Sequence, residues 1–458
     1  MTIFTAAIEQ ASDILWNSLL LFLLVGTGVF FTIRLRGVQL RRFGEGFHRV
    51  FGNFTLRGKK ADDQGMSSFQ ALATAIAAQV GTGNITGCAT ALVSGGPGAL
   101  FWVWVSAFFG MATIYAEAVL AQRYRTTVNG KVTGGPAYYI RAAFKGTFGK
   151  VLAGVFSVLI ILALGFMGNM VQSNSIGDAF HNAFGMSHLA VGIVVAVIAA
   201  FIFLGGVQRI AAVTEKIVPI MAAFYIVGCV VILVMNYKVL PNAFTQIFVL
   251  AFNPQAMAGG VAGVTVQQAM RFGVARGLFS NESGLGSAPI AAAAARTSQP
   301  VVQALISMTQ TFIDTLVVCS MTGLVILVTG VWTSGKNGAP LTSYAFETGL
   351  PGELGGLIVT IGIILFAYST ILGWSYYGEK AIEYLLGSKA IIPYRWAFII
   401  SVGLGASMKL DLVWTLSDIF NALMAFPNLI GLIMLTPVVK AETLAYLRSL
   451  KKEPASEG

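Results

Sequence analysis

Two stretches of the chain place glycines and short polar side chains inside runs that otherwise consist mainly of Ala, Val and Ile. The first stretch covers residues 77–87 and contains Gln79, Gly81, Thr82, Gly83 and Asn84. The second covers residues 275–286 and contains Phe279, Ser280, Asn281, Glu282 and Gly284. Glycine and short polar residues weaken the interior of a helix. Unwound backbone is tolerated in lipid only where it lines a cavity enclosed by protein, so both stretches predict broken helices around a binding site.

The chemistry expected of such a site follows from the ends of the half-helices. The start of a second half-helix exposes N–H groups and a positive dipole end, which bind an anion such as a carboxylate. The end of a first half-helix exposes carbonyl oxygens, which suit an ammonium group or a desolvated Na⁺. The two breaks together therefore favour a zwitterionic ligand. Glycine also lets membrane helices pack closely, but two such stretches with polar side chains at mid-span favour a binding role.

The composition indicates which elements must carry these stretches. Of the 458 residues, 56% are hydrophobic and 10% are charged, whereas a soluble domain carries about 25% charged residues. Lipid must therefore be the solvent, and runs of about 20 apolar residues are expected to cross it as helices. We predict an all-α polytopic membrane protein with a single transmembrane domain over residues 1–458. Its eleven transmembrane segments, numbered in chain order, are predicted at 14–35, 67–94, 98–122, 150–172, 188–208, 212–236, 260–295, 300–330, 352–378, 391–410 and 412–436.

Lys and Arg are distributed unevenly between the predicted loops. Of the 29 basic residues, 24 fall in alternate loops and in the C-terminal tail. Because basic residues are retained on the cytoplasmic side, we predict a cell-membrane protein with its N-terminus outside and its C-terminus in the cytoplasm. The net charge of +10 then belongs to the cytoplasmic face and does not predict nucleic-acid binding. Outside, the stretch 237–259 is predicted to form a short helix against the membrane, and the Gly- and Pro-rich loop 333–351 to form a lid.

The broken stretches lie in segments two and seven, which are five spans apart and cross in opposite directions. Residues 67–236 and 260–436 are therefore predicted to form two five-helix repeats of inverted topology, preceded by an additional helix at 14–35. Inverted repeats with broken helices are typical of secondary transporters. The sequence has no GxxxxGK[ST] motif, which predicts that ATP is not used and that a gradient drives any transport.

Several motifs occur in the order found in one transporter family. They are Gln79-Val80-Gly81-Thr82-Gly83-Asn84-Ile85-x-Gly87, Gly95-Gly96-Pro97-Gly98-Ala99-x-Phe101-Trp102-x-Trp104, Gly134-Gly135-Pro136-x-Tyr138-Tyr139, Phe279-Ser280-Asn281-Glu282-x-Gly284 and Tyr368-Ser369-Thr370-x-x-Gly373-Trp374. With these motifs the chain resembles the alanine/glycine:cation symporter family over most of its length. The resemblance implies a leucine-transporter-like fold and the Na⁺-coupled uptake of a small neutral amino acid, alanine or glycine.

The resemblance also implies two sets of site residues. Hydroxyl and carbonyl oxygens suit a hard cation, and the implied Na⁺ ligands are Ala77, Val80, Ser369 and Thr370. The implied substrate site comprises Gln79, Gly81, Thr82, Gly83, Asn84, Asn169, Gln172, Phe279, Ser280, Asn281, Thr370 and Trp374.

Some of these residues also fit a structural role. The hydroxyls of Ser369 and Thr370 can bond to their own helix. Asn169 and Gln172, in segment four, fit contacts between helices as well as contacts with a ligand. Trp374 fits either the wall of a pocket for a small side chain or an anchor at the membrane interface.

Ionisable residues within the spans are functional hypotheses by default, because their burial in a membrane is costly. Glu282, at the second break, fits either the ion pathway or a pair with Arg276. Glu117 fits a structural pair near the cytoplasmic end of segment three, and Asp314 and Asp418 are further candidates without an assigned role.

Other function classes fit the sequence less well. The nearest alternative is a proton-coupled transporter or a facilitator of another small amino acid, but no Lys lies within 217–235 of segment six to replace Na⁺. A channel generally needs a repeated filter motif, and none is present. An enzyme is not predicted, because His48, His181 and His188 lie in or near loops and form no HExxH motif or nucleophile–base pattern. The three cysteines have no metal-ligand spacing, and no disulfide is predicted.

Overall fold

The computed structural model describes residues 10–52, 73, 76–253, 265–352 and 354–452, which are mostly helical. Six helices in this part of the chain are long and apolar enough to cross a membrane. They are Ala99–Arg123, Thr147–Phe184, Gln208–Met235, Pro300–Val328, Leu354–Leu386 and Asp411–Met434. These helices coincide with predicted segments three, four, six, eight, nine and eleven, and they confirm a polytopic membrane protein.

Predicted segments one, five and ten are also helical but shorter. Segment one is a π-helical turn, Trp16–Leu20, followed by the helix Leu21–Arg34. Segments five and ten are the helices His188–Phe203 and Ile391–Gly405. Two of the long helices contain a π-helical section, Ile161–Gly168 in segment four and Phe312–Cys319 in segment eight. Such sections re-aim side chains within a continuous helix and are frequent at functional sites.

Segment seven is unwound as predicted. Its first half is the helix Val266–Asn281, which begins with a capping box between Thr265 and Gln268. The backbone turns left-handed at Glu282, with φ of 59°, and at Gly284 and Gly286. The second half is the short helix Ala288–Ala294. The predicted residues 260–264 lie outside the described residues.

Segment two is interrupted over a shorter stretch than segment seven. Residues 76–79 are helical, Val80 and Gly81 form a bend, and the chain resumes as a π-helical turn, Gly83–Gly87, and the helix Cys88–Gly95. The predicted break is therefore present in segment two, and only two residues leave the helical conformation. The predicted start at residues 67–72, and residues 74–75, lie outside the described residues.

The connections contain a β-hairpin that the all-α prediction missed. The strands Thr126–Val128 and Lys131–Thr133 pair antiparallel. Their turn is Asn129-Gly130, with positive φ at both residues, which is the preferred sequence for a two-residue hairpin turn. The remaining helices are Val38–Arg41, Phe43–Phe51, Pro136–Ala143, Leu240–Phe252, Val331–Thr333, Gly338–Gly349, Ser388–Ala390 and Thr436–Lys452.

The two stretches that were predicted to lie outside the membrane both contain a helix. The stretch 237–259 contains the predicted short helix, Leu240–Phe252, up to the last described residue, Asn253. The predicted lid 333–351 contains the helix Gly338–Gly349. Its Thr342 donates a hydrogen bond of 3.2 Å to the carbonyl of Ile85, so this helix packs directly on the broken part of segment two.

Burial places the polar residues of both breaks at the centre of the molecule. Thr82, Asn84, Asn281 and Glu282 are fully buried. Segment three packs against segments seven and eight, and segment nine packs against segment four. In contrast, large apolar side chains such as Phe201 of segment five are exposed. An apolar outer surface around a polar interior is expected where lipid is the solvent.

Candidate functional site

The two breaks are in direct contact. Gln79 Nε2 donates a hydrogen bond of 3.1 Å to the carbonyl of Asn281, near the end of the first half of segment seven. Gly83 faces the same region, since a Cβ placed there would lie 3.1 Å from both Phe279 Cδ1 and Ser280 Cα. Glycine at this position therefore permits the backbones of segments two and seven to approach each other.

The bend in segment two is surrounded by polar side chains. The N–H of Gly81 donates to Asn84 Oδ1 at 2.8 Å, and the N–H of Thr82 donates to Gln172 Oε1 at 3.1 Å. Both N–H groups are therefore bonded to amide oxygens of the protein and are not free for a ligand. The protein leaves two other donors at this place without a partner, the hydroxyl of Thr82 and Nε2 of Gln172. Gln79 Oε1 is a buried acceptor that likewise lacks a partner.

The predicted Na⁺ ligands lie together. The hydroxyl of Thr370 is 3.0 Å from the carbonyl oxygen of Ala77 and 3.3 Å from that of Val80. Ser369 Oγ lies 3.4 Å from the carbonyl oxygen of Ala77. Both hydroxyls also lie within hydrogen-bond distance of the carbonyl of Phe366 in their own helix. Each hydroxyl therefore contacts its own helix as well as the carbonyl oxygens of segment two. The result is a buried cluster of four oxygens between segments two and nine, of the ligand type that a hard cation prefers.

Glycine also permits this second contact. A Cβ at Gly81 would overlap the Thr370 hydroxyl, and a Cβ at Gly373 would lie 2.8 Å from Ala78 Cα. The motif glycines of segments two and nine therefore let the oxygen cluster form.

Aromatic rings border the two breaks. The rings of Phe279 and Trp374 are 5.6 Å apart, and those of Phe279 and Trp414 are 4.6 Å apart. Trp374 is 1% exposed, which excludes the interfacial anchor. A Cβ at Gly168 would collide with the Trp374 ring, so this glycine of segment four makes room for the ring.

Asn169 contributes differently from the other predicted substrate residues. Its Nδ2 donates to the carbonyl of Leu164 in the same segment, while its Oδ1 is buried and has no partner. Asn169 follows Gly168, which touches Trp374. The described contacts place it beside the aromatic residues, and they do not connect it to either break.

Arg276 pairs with Asp418 and not with Glu282. Its guanidinium donates two hydrogen bonds to that carboxylate, one of them 3.0 Å long, and its Cζ lies 4.3 Å from the centre of the Trp414 ring. Both side chains of the pair are about 90% buried or more. One of the two roles that the sequence left open for Glu282, a pair with Arg276, was therefore wrong.

A polar cavity of about 280 Å³ lies against this ion pair. Its lining includes Asp13, Thr90, Arg271, Asn337, Asp411 and Trp414. The Arg276–Asp418 pair and the Trp414 ring thus separate the cavity from Phe279 and the breaks. Trp414 and its role were missed from the sequence, because one aromatic residue in a span gives no signal of what it covers.

Glu117 and Glu282 hold the unwound part of segment seven. Glu117 accepts hydrogen bonds from the N–H of Gly284 at 3.1 Å and from Asn428 Nδ2 at 2.6 Å. Glu282 accepts hydrogen bonds from the hydroxyl of Ser287 and from Trp374 Nε1. The sequence suggested a structural pair for Glu117. Its partners are the backbone N–H of Gly284 and the amide of Asn428, and neither carries a charge.

Comparison with known proteins decides the family. The model of the sodium:alanine symporter family matches residues 1–457. The chain belongs to the sodium:alanine symporter family. It is 48% identical over 456 residues to the sodium/alanine symporter AgcS of Methanococcus maripaludis, covering 98% of this chain and 99% of that protein. It is 40% identical over 449 residues to the probable sodium/glutamine symporter GlnT of Bacillus subtilis, covering 97% of this chain and 91% of that protein.

The fold is shared with more distant transporters. The crystal structure of MhsT in complex with L-phenylalanine matches with a TM-score of 0.57 and 13% identity, covering 83% of this chain and 98% of that one. This likeness shows a leucine-transporter-like fold. Family and fold together establish a membrane transport protein and not an enzyme.

Proposed function

We propose that this member of the sodium:alanine symporter family imports alanine or glycine together with Na⁺ by alternating access. The observation that carries the proposal is the direct contact of the two breaks at Gly83, Phe279 and Ser280. The buried groups without a protein partner surround this contact. A buried donor or acceptor without a partner is unfavourable, so such groups mark where a ligand would restore hydrogen bonds.

The unpartnered groups match the two ends of a zwitterion. The hydroxyl of Thr82 and Nε2 of Gln172 can donate to a carboxylate beside Gly83 and Asn84. Gln79 Oε1 can accept from an ammonium group, near the carbonyl end of the helix Val266–Asn281. Charge-assisted hydrogen bonds are the stronger kind, so this arrangement favours an amino acid over a neutral analogue.

The aromatic residues favour a small side chain. Phe279 and Trp374 stand edge to face beside the breaks, and Trp374 is fixed by its hydrogen bond to Glu282. Rigid rings leave little freedom to accept extra methylene groups. Glutamine, which has a longer side chain, is the second candidate only because the relative GlnT carries that substrate in its name.

The proposed coupling ion is Na⁺, bound by the carbonyls of Ala77 and Val80 and the hydroxyls of Ser369 and Thr370. All four oxygens come from buried residues of segments two and nine. Na⁺ bound there would fix the bend in segment two, next to the proposed carboxylate position. Transport of the two is coupled if the affinity of this bend for the amino acid is high only when the cation is bound.

Alternating access needs a closure on each side of the site. We assign the outer closure to Trp414 and the Arg276–Asp418 pair. In the proposed N-out, C-in orientation, the cavity lined by Asn337 and Asp411 opens outward. The proposed architecture is one transmembrane domain of eleven spans in the cell membrane, with the helix at 14–35 preceding inverted repeats at 67–236 and 260–436. The bilayer and the amino acid are its proposed partners, without ATP or nucleic acid.

Purified protein in proteoliposomes tests this function directly. Uptake of radiolabelled alanine is measured with and without an inward Na⁺ gradient, in competition with glycine, leucine and glutamine. We expect saturable uptake that needs Na⁺ and is inhibited by glycine. Na⁺-independent uptake, or uptake driven only by a pH gradient, would contradict the proposed coupling. Competition by glutamine but not glycine would favour the second candidate.

A further inference from the structure

Three exposed basic side chains lie where the helix Pro136–Ala143 connects to segment four. Arg141 is in the last turn of that helix, Lys145 is in the connection, and Lys150 is in the first turn of segment four. Among the ion pairs of the described residues, none includes any of these three bases. Unpaired basic side chains next to a transmembrane helix attract anionic groups of the bilayer.

Acids elsewhere on the same proposed cytoplasmic face do not supply the missing charge. Four of them, within the described part of the chain, pair with other bases: Glu45, Glu379, Glu383 and Glu442. The counter-charge for Arg141, Lys145 and Lys150 is therefore expected from outside the chain.

An apolar stripe begins beside these bases and runs along segment four. Its members recur at the spacing of one helix face and are between 44% and 60% exposed: Phe148, Val151, Val155 and Val158. In a membrane protein such an outward apolar face contacts acyl chains. The ring of Phe144 lies 5.2 Å from that of Phe148, so the connection that carries Lys145 is held against the first turn of the stripe.

We propose that Arg141, Lys145 and Lys150 bind the phosphate of an anionic phospholipid, whose acyl chains lie along the stripe. A free phosphate would use the bases but not the stripe. A zwitterionic lipid would use the stripe but would bring a positive charge beside the bases. Of these three ligands, only the anionic lipid matches both features. Its place in the cytoplasmic leaflet rests on the proposed orientation.

The helix Pro136–Ala143 connects this lipid site to the second half of segment seven. A Cβ at Gly134 would lie 2.7 Å from Ala293 Cβ, and a Cβ at Gly135 would lie 2.8 Å from Ile290 Cγ1. The motif glycines therefore let the start of this helix pack closely on the helix Ala288–Ala294. A lipid bound at the other end would hold the same helix in place and stabilise this packing.

Lipid-dependent quenching beside the stripe tests the proposal. The three native cysteines are buried, so a bimane fluorophore can be attached selectively to Val151→Cys. In phosphatidylcholine nanodiscs, a minor fraction of brominated phosphatidylglycerol should quench this fluorophore more than the same fraction of brominated phosphatidylcholine. On Ile198→Cys, an exposed position of segment five, the two lipids should quench equally. Equal quenching by both lipids at position 151 would overturn the proposal.

Charge variants separate this site from general attraction to an anionic bilayer. The variant Arg141→Gln/Lys145→Gln/Lys150→Gln should lower the preference for phosphatidylglycerol about tenfold or more, because each base near the surface contributes to the attraction. The control removes the same charge from exposed bases on three other elements, Lys131→Gln/Lys216→Gln/Lys389→Gln. It should keep the preference. An unchanged preference in the first variant, or an equal loss in both, would refute the assignment of these bases.

Inorganic phosphate distinguishes a lipid site from a phosphate site. Phosphate and chloride at equal ionic strength should reduce the preference equally, since both then act only by screening charge. A larger effect of phosphate would assign the bases to a free phosphate and overturn the lipid as occupant.

The predicted hold on segment seven has a separate measurement, which does not depend on the substrate. In nanodiscs, Ala291→Cys should react with a thiol reagent more slowly when phosphatidylglycerol is present, and the Gln variant of the three bases should remove this difference. Equal rates in both lipids would refute the hold on segment seven, whereas the quenching result decides the lipid site itself.

Discussion

Trp374 Nε1 donates a hydrogen bond to Glu282 Oε1, and this contact joins the aromatic border of the site to the unwound part of segment seven. The two residues are 92 positions apart in sequence. Glu282 is the residue at which the helix Val266–Asn281 ends in a left-handed conformation. Any movement of segment seven at this point must therefore also move, or release, the ring that we place against the substrate side chain.

Replacing this ring should change which side chains are accepted. We expect the unaltered protein to exclude leucine and valine and Trp374→Ala to transport them, because each methylene rejected by an apolar pocket represents only about 1–3 kcal/mol. The measurement is competition against radiolabelled alanine in proteoliposomes. Trp396→Ala is the control, since Trp396 is 52% exposed and far from the breaks in sequence. A folded Trp374→Ala protein that carries alanine and still rejects leucine would contradict the pocket role.

Removing one hydroxyl should weaken the binding of the coupling ion. Thr370→Val preserves the shape of the side chain but removes the oxygen that lies 3.0 Å from the carbonyl of Ala77. Contacts to charged groups contribute about 1.5–3 kcal/mol, so the Na⁺ concentration for half-maximal uptake should rise about tenfold or more. Thr360→Val is a matched control in the same helix, because the Thr360 hydroxyl bonds to the carbonyl of Gly356 in its own helix. Equal Na⁺ dependence in both variants would show that Thr370 only serves its helix.

Breaking the buried ion pair should open the route from the outer cavity. Removing one partner of such a pair costs about 3–5 kcal/mol, because the other charge stays buried and unpaired. In Arg276→Gln or Asp418→Asn, a cysteine placed at Phe279, which packs against Trp414 and does not line the cavity, should react faster with a water-soluble thiol reagent. Lys380→Gln breaks another buried pair, with Glu383, and should leave that rate unchanged. The closure assignment fails if Arg276→Gln and Asp418→Asn both label at the parent rate, or if Lys380→Gln labels as fast as they do.

The orientation in the membrane can be tested at two exposed loops. Asn129 lies at the tip of the hairpin, and Lys336 lies before the helix Gly338–Gly349. In intact cells, an impermeant thiol reagent should label a cysteine at position 336 and should reach one at position 129 only after the membrane is opened. The reverse pattern would invert the topology that we propose from the distribution of Lys and Arg.

The sequence predicted those parts of the fold that depend on local composition. Apolar runs predicted where the long helices lie, and Glu282, Gly284 and Gly286 lie where segment seven unwinds. The hairpin 126–133 was missed although Asn129-Gly130 is a strong local signal, because the surrounding loop was interpreted only by its charge. The break in segment two was predicted, but the sequence did not show that Asn84 and Gln172 accept hydrogen bonds from the N–H groups of Gly81 and Thr82.

The sequence was less informative about which side chains pair. Arg276 bonds to Asp418, 142 residues away, whereas Glu282 lies six positions away and bonds elsewhere. Distance along the chain carries little information here, because the packing of segments seven and eleven decides which acid the guanidinium meets. The proximity of Thr370 to Ala77 followed instead from family resemblance, which brings information about tertiary contacts that composition lacks.

Gly83 provides the sharpest test of the proposed carboxylate position. We expect Gly83→Val to weaken alanine binding at least about tenfold, because overpacking a close contact costs about 1–3 kcal/mol and the Cβ would lie 3.1 Å from Phe279 and Ser280. Gly154→Val is the control, since no atom lies within 4 Å of a Cβ at Gly154. Alanine affinity and thermal stability are measured for both variants.

Weaker alanine binding by Gly83→Val has two possible explanations, a blocked carboxylate position or a displaced backbone. The variant by itself does not distinguish them, because the added Cβ contacts segment seven in either case. Alaninamide separates them, since it keeps the amine and methyl groups of alanine but lacks the carboxylate. The hydroxyl of Thr82 and Nε2 of Gln172 would then face a neutral amide, and charge-assisted hydrogen bonds are about twice as strong as neutral ones. Alaninamide should therefore compete poorly with alanine in the unaltered protein. If it competes equally well, no carboxylate is recognised beside Gly83, and the contact between the breaks serves packing instead.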